Sequence, residues 1–190
     1  MKKNALIFAL VVVGFSGVAQ TESYPFRKLC IEPAIGLRLS SAFGLLDFQF
    51  SGLVQYQIHE RFSLASHTAV SFDINSFKAF KNINVTRSIT AFQRFGVGTS
   101  LYTKHSAHTF FLVLGGKYFT YSASIDNPKL EDNVKSQFNT IALDKGLLYN
   151  LKIGRGNSYF SGRIYAPVFD GKWVALENAS LELGAGFKLK

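Results

Sequence analysis

From Phe48 to Ile58 every second residue is Phe48, Phe50, Gly52, Val54, Tyr56 and Ile58, with Gln49, Ser51, Leu53, Gln55 and Gln57 between them. A period of two belongs to the β-strand, whose successive side chains point to opposite faces of a sheet. The pattern recurs along the chain and predicts strands over residues 31–40, 47–58, 62–74, 85–101, 109–121, 137–153, 158–169 and 179–190. No segment after residue 19 carries a helical period.

The two faces differ in bulk. One carries Phe, Leu, Ile and Tyr, and the other is mostly Gly, Ala, Ser and Thr. Eight strands closed on themselves leave an interior only just wide enough for side chains. The compact set fits there and the bulky set would crowd it. Turned outward against acyl chains, each fully buried bulky side chain gains about 1.5–3 kcal/mol. The expected fold is therefore all-β: an eight-stranded antiparallel up-and-down barrel crossing a membrane, with the compact face inward.

The compact face also carries charges of both signs: Glu32, Arg38, Asp73, Arg94, Lys117, Asp144, Lys152, Arg163, Glu182 and Lys188. On a lipid face each Arg or Lys would cost about 2–4 kcal/mol near the midplane. Inside, they can pair, so a polar, ion-paired lumen without an open pore is expected. Two places break the pattern. Phe92 and Gln93 stand on the wrong faces for their chemistry, and Lys145 falls on the bulky face, which calls for snorkelling or for a bulge at residues 144–146.

The connections alternate in length. Those after the second, fourth and sixth strands are short, those after the third, fifth and seventh are longer and polar, and the first, at residues 41–46, is intermediate. Short turns on one side and long loops on the other mark a barrel with both termini in the periplasm. Loop residues Phe77, Lys78, Phe80, Lys81, Lys172 and Trp173 combine aromatic and basic side chains, as an external contact surface for partners or lipopolysaccharide would. Trp173 equally fits an aromatic girdle at the membrane interface.

The first nineteen residues read as a cleavable signal peptide. Lys2 and Lys3 precede an apolar run from Ala5 to Val13, and Gly17-Val18-Ala19 offers small residues for cleavage before Gln20. That leaves one domain, residues 20–190, as the barrel. Basic residues outnumber acidic ones, 21 to 12, but they are scattered and form no basic run. Anionic lipid and lipopolysaccharide phosphates are the expected partners, and nucleic acid is not. The single Cys30 permits no intrachain disulfide and lies too far from Ala19 for a lipid anchor.

Little in the sequence points to chemistry. His59, His105 and His108 fall at turns without a carboxylate or thiol cluster, so no metal or cofactor is expected. His67 projects inward near Ser63, Ser71 and Asp73. A nucleophile–base pair can be drawn there, but no complete triad.

The signal peptide, the alternation, the loop asymmetry and the closing run Leu181, Leu183, Ala185, Phe187, Leu189 together resemble small eight-stranded outer-membrane proteins. These are the transmembrane domain of the OmpA type, the OmpX type and the outer membrane protein β-barrel domains of Bacteroidetes. The resemblance covers the whole chain after the signal peptide. It implies the outer membrane of a Gram-negative bacterium, assembly by the barrel-insertion machinery, and a non-enzymatic structural or surface-interaction role. Family members typically end on an aromatic residue, whereas here Phe187 stands three positions before Lys190. Two other readings stay open at this point: a lipid A-modifying barrel enzyme, and a soluble secreted barrel holding an apolar ligand.

Overall fold

The computed structural model describes residues 29–39, 46–73, 77–80, 83–125, 134–154, 156–168 and 178–189. The expected signal peptide lies outside them. The strands are β1 (Leu29–Leu39), β2 (Leu46–Gln57), β3 (Phe62–Asp73), β4 (Phe77–Phe80), β5 (Ile83–Tyr102), β6 (Ser106–Ile125), β7 (Val134–Ile153), β8 (Ser158–Pro167) and β9 (Ser180–Leu189). Among the described residues there is no helix.

All neighbours are antiparallel, in the order β3-β2-β1-β9-β8-β7-β6-β5, and β3 pairs with β5 to complete the ring. Eight strands thus close a barrel. The first and last are hydrogen-bonded to each other, with Ile31 opposite Phe187 and Arg38 opposite Ser180. Closure leaves the ring itself no free edge.

The eight expected strands are present, with two corrections. Residues 77–80, expected within a loop, form β4 and fold back on β5, with Phe77 opposite Val85. Strands β5, β6 and β7 each run to 20 residues, several beyond their expected ends on the loop side, while β8 and β9 have 10. The extra loop-side length mixes small polar residues with Ile83, Ile125 and Val134 and carries none of the bulky run that marks the belt, so hydrophobic pattern does not announce it. Pairing to an already formed neighbour extends it.

The short turns are closed by backbone hydrogen bonds, Ile58 N to Phe62 O at 2.9 Å and Thr103 N to Ser106 O at 2.8 Å. Together with the β7–β8 connection they define a turn end of the barrel. The opposite ends of the strands form the other, loop end.

Alternation places the faces as their bulk requires. Phe160 is 76 % exposed and Leu183 66 %, whereas Glu32 and Leu53 are fully buried in the lumen. An apolar belt of Ile35, Phe50, Leu64, Phe95, Leu112, Ile164 and Leu181 runs round the outside. Inside, Leu53, Ala65, Phe111, Val113, Leu148 and Tyr165 form one small apolar cluster among the charges. Tyr159 shows why glycine recurs on the inner face. Its ring lies against Gly186, its register partner on β9, where any Cβ would collide with the ring.

The pairing of β6 with β7 continues without a register shift through Leu114 opposite Lys145 and Gly115 opposite Asp144. The bulge at residues 144–146 is therefore absent, and Lys145 sits on the outer face, level with the end of β8, where its carbonyl accepts from Val168 N at 3.0 Å.

Candidate functional site: an ion-paired lumen

Among the described residues, inward positions on six strands bring lumen charges together in four ion pairs. At the turn end, Glu32 of β1 accepts from Lys152 Nζ at 2.9 Å, Tyr159 Oη at 2.7 Å and Asn150 Nδ2 at 3.0 Å. In the middle, Glu182 of β9 pairs with Arg163 Nε at 3.1 Å and accepts from Gln49 Nε2 and Ser51 Oγ, each at 2.6 Å. Further up, Arg94 of β5 donates from Nε to Asp144 Oδ2 of β7 at 2.5 Å, and Tyr165 Oη donates to Asp144 Oδ1 at 2.7 Å. At the loop end, Arg38 pairs with Asp47, its register neighbour on β2, and donates to Asn178 Oδ1 at 2.7 Å and Thr90 Oγ1 at 3.0 Å.

Glu32, Asp144 and Glu182 each have one cation and at least one further donor. Removing ions from water costs several kcal/mol each, and close pairing with added hydrogen bonds offsets it. Aromatic faces add to this. The Arg94 guanidinium lies 3.7 Å from the Tyr165 ring centroid and 4.3 Å from that of Phe92, and Arg38 lies 5.3 Å from Phe92.

His67 joins two of these pairs. Arg94 Nη1 lies 3.1 Å from its Nδ1, and the Glu182 carboxylate oxygens lie 3.3 and 3.4 Å from its Nε2. A guanidinium only donates, so Nδ1 carries the lone pair and the ring proton is on Nε2, pointing at Glu182. The line Asp144–Arg94–His67–Glu182–Arg163 therefore runs unbroken across the lumen.

Lys188 and Lys117 also belong to the inner face. Lys188 is buried at the turn end, 5.4 Å from the Tyr159 ring centroid, and half-buried Lys117 lies on the inner face opposite Phe92. Asp73 ends β3 opposite Asp47. Of the loop candidates, Phe77, Lys78 and Phe80 lie in β4, while Lys81, Lys172 and Trp173 fall outside the described residues.

Several residues that complete the site are not singled out by sequence reasoning: Asp47, Asn150, Tyr159, Tyr165 and Asn178. Each has the parity of the inner face of its strand or lies at its end, and that parity is the signal that finds them. Which cation meets which carboxylate depends on stagger between strands and is not written in any one of them.

Among the described residues, the nucleophile–base pair drawn at His67 does not form with Ser63. His67 is fully buried, both its nitrogens face charged side chains, and Ser63 is engaged with Gln55 at 2.8 Å. Among the described residues no group of three His, Cys, Asp or Glu is placed to hold a metal ion.

No protein-family model matches the chain, and no curated protein matches it in sequence. Solved structures do match in fold. The crystal structure of Ail, the attachment invasion locus protein of Yersinia pestis, in complex with the heparin analogue sucrose octasulfate, aligns with a TM-score of 0.54 at 12 % identity, over 85 % of this chain and 96 % of that one. The N-terminal β-barrel domain of Pseudomonas aeruginosa OprF aligns with a TM-score of 0.47 at 12 % identity, over 86 % and 98 %. Neisserial surface protein A aligns with a TM-score of 0.43 at 18 % identity, over 85 % and 96 %. The fold is that of the small eight-stranded outer-membrane barrels.

Proposed function

We propose that residues 20–190 form an integral outer-membrane barrel with a sealed lumen and a structural or surface-interaction role, without enzymatic activity. One observation carries the reading: large apolar side chains are exposed all round the outside while the charges are buried within. A water-soluble barrel holding an apolar ligand requires the reverse. A bilayer requires this arrangement, because a closed ring satisfies its backbone internally and presents only hydrocarbon to lipid.

In this reading the signal peptide directs export, the insertion machinery places the barrel, and the turn end with both termini faces the periplasm. The loop end, carrying β4 and the prolonged β5, β6 and β7, stands outside the cell. Phe77, Lys78, Phe80, Lys81, Lys172 and Trp173 meet partners or lipopolysaccharide there. Their basic and aromatic character suits anionic saccharide or phosphate groups. Four ion pairs among the described residues and packed aromatic rings across the lumen suit a plug rather than a pore.

Membrane fractionation with protease treatment of intact cells tests this. The protein is expected in the detergent-extracted envelope fraction, with heat-dependent gel migration and cleavage confined to the loop end. Recovery in aqueous extracts without detergent contradicts it. An altered lipid A acyl pattern on deletion of the gene contradicts the non-enzymatic part. Charge reversal at Lys78, Lys81 and Lys172 is expected to weaken retention on an anionic polysaccharide several-fold.

A further inference from the structure

We propose that His67 is a pH-operated latch on the lumen plug, closed when neutral and released when its ring takes a second proton. The proposal rests on the sealed-barrel reading above and adds a means of loosening the seal.

The geometry sets the logic. With one ring proton, on Nε2, His67 accepts from Arg94 and donates to Glu182, and so ties the Arg94–Asp144 pair to the Arg163–Glu182 pair. A second proton has to enter at Nδ1. Arg94 Nη1 already points its own N–H at that atom from 3.1 Å, and the guanidinium keeps its charge at any pH a protein meets. The closed arrangement has no place for the proton. An arrangement with Arg94 moved off Nδ1 does, so acid favours the opened form by linkage.

The charged and titratable groups facing His67 are few and come from four strands. They are Arg94 on β5, Glu182 on β9, Arg163 and Tyr165 on β8 through those two, and Asp144 on β7 through Arg94. From β2 come only the uncharged Leu53, its register partner, and Gln49 and Ser51 on Glu182. Arg94 has somewhere to stay while it lets go. Asp144 and the rings of Phe92 and Tyr165 hold its guanidinium independently of His67.

The test uses the full mature barrel in lipid nanodiscs and planar bilayers. Nitrogen-15 NMR of the His67 ring is expected to show the proton on Nε2 at neutral pH. On acidification Nδ1 should become protonated together with a shift of the Arg94 side-chain resonances. Ion conductance is expected to rise several-fold as the pH falls through the range in which Nδ1 takes its proton in the same barrel. His67→Gln keeps one acceptor and one donor but takes no proton, so it should fold and abolish the rise. A proton on Nδ1 at neutral pH, a ring that never titrates before the barrel unfolds, or a His67→Gln barrel with the same acid response would each overturn the proposal. The last of these would assign the response to Glu182 or Asp144. Failure of the membrane reading shows separately, as a protein that needs no nanodisc to stay dispersed.

Discussion

Arg94 and Asp144 form an ion pair although two strand spacings separate them: in register, Arg94 faces Gly115 of β6, and Gly115 faces Asp144 of β7. The pair thus bridges β5 and β7 over a position that has no side chain. Asp144→Asn leaves the Arg94 charge uncompensated in a buried setting and is expected to cost about 3–5 kcal/mol. Urea unfolding of the barrel in vesicles measures this. Arg94→Met combined with Asp144→Leu should lose much less than the single change, because no lone charge remains.

The intervening glycine gives a paired prediction. A Cβ at Gly115 would fall on the Gln93 carbonyl oxygen and lie within 2.7 Å of Arg94 Cα, whereas at Gly116, on the outer face, it meets nothing within 4 Å. Gly115→Val is expected to destabilise by about 1–3 kcal/mol or to block assembly, as overpacking does. Gly116→Val should be neutral or mildly stabilising. Heat-dependent gel migration of the two variants checks both, and equal behaviour would contradict the register.

The outer belt makes a prediction of opposite sign to that for a water-soluble surface. Leu183 is 66 % exposed on β9. Leu183→Arg is expected to cost about 2–4 kcal/mol in a bilayer if the position is near the midplane. On an aqueous surface the same change would move stability by no more than about 0.5 kcal/mol. Equilibrium unfolding from vesicles distinguishes the two.

Strand positions and faces were legible in the sequence because the pleat forces a period of two, and a one-residue slip would invert every side chain. Phe92 and Gln93 keep that period and break only its chemistry. Phe92 is inside because Arg38 and Arg94 lie over its ring, and Gln93 is outside because Thr68 donates to it at 2.5 Å and it donates to Ser66 at 3.0 Å. Both compensations come from other strands, so β5 alone does not reveal them. The same holds for the partner of each charge: Glu182 draws on β2, β3 and β8 at once, a meeting set by closure and stagger. The lengths of β5, β6 and β7 were missed for a different reason: beyond the apolar belt no lipid enforces an alternating pattern.

Phe92 carries its own prediction. Phe92→Leu keeps the bulk of a buried apolar side chain but removes the ring face from two guanidinium groups. The expected loss is about 1–2 kcal/mol, of which a double-mutant cycle with Arg94→Met should recover most, since desolvated cation–π contacts reach that size.

The orientation of the two faces is tested most directly by spin labels at Val54, Leu112 and Leu183, read by collision with oxygen, which partitions into lipid, and with a nickel chelate, which stays in water. High oxygen and low nickel accessibility are expected at all three. Labels that report a crowded interior, or that nickel reaches as freely as oxygen, would contradict that orientation.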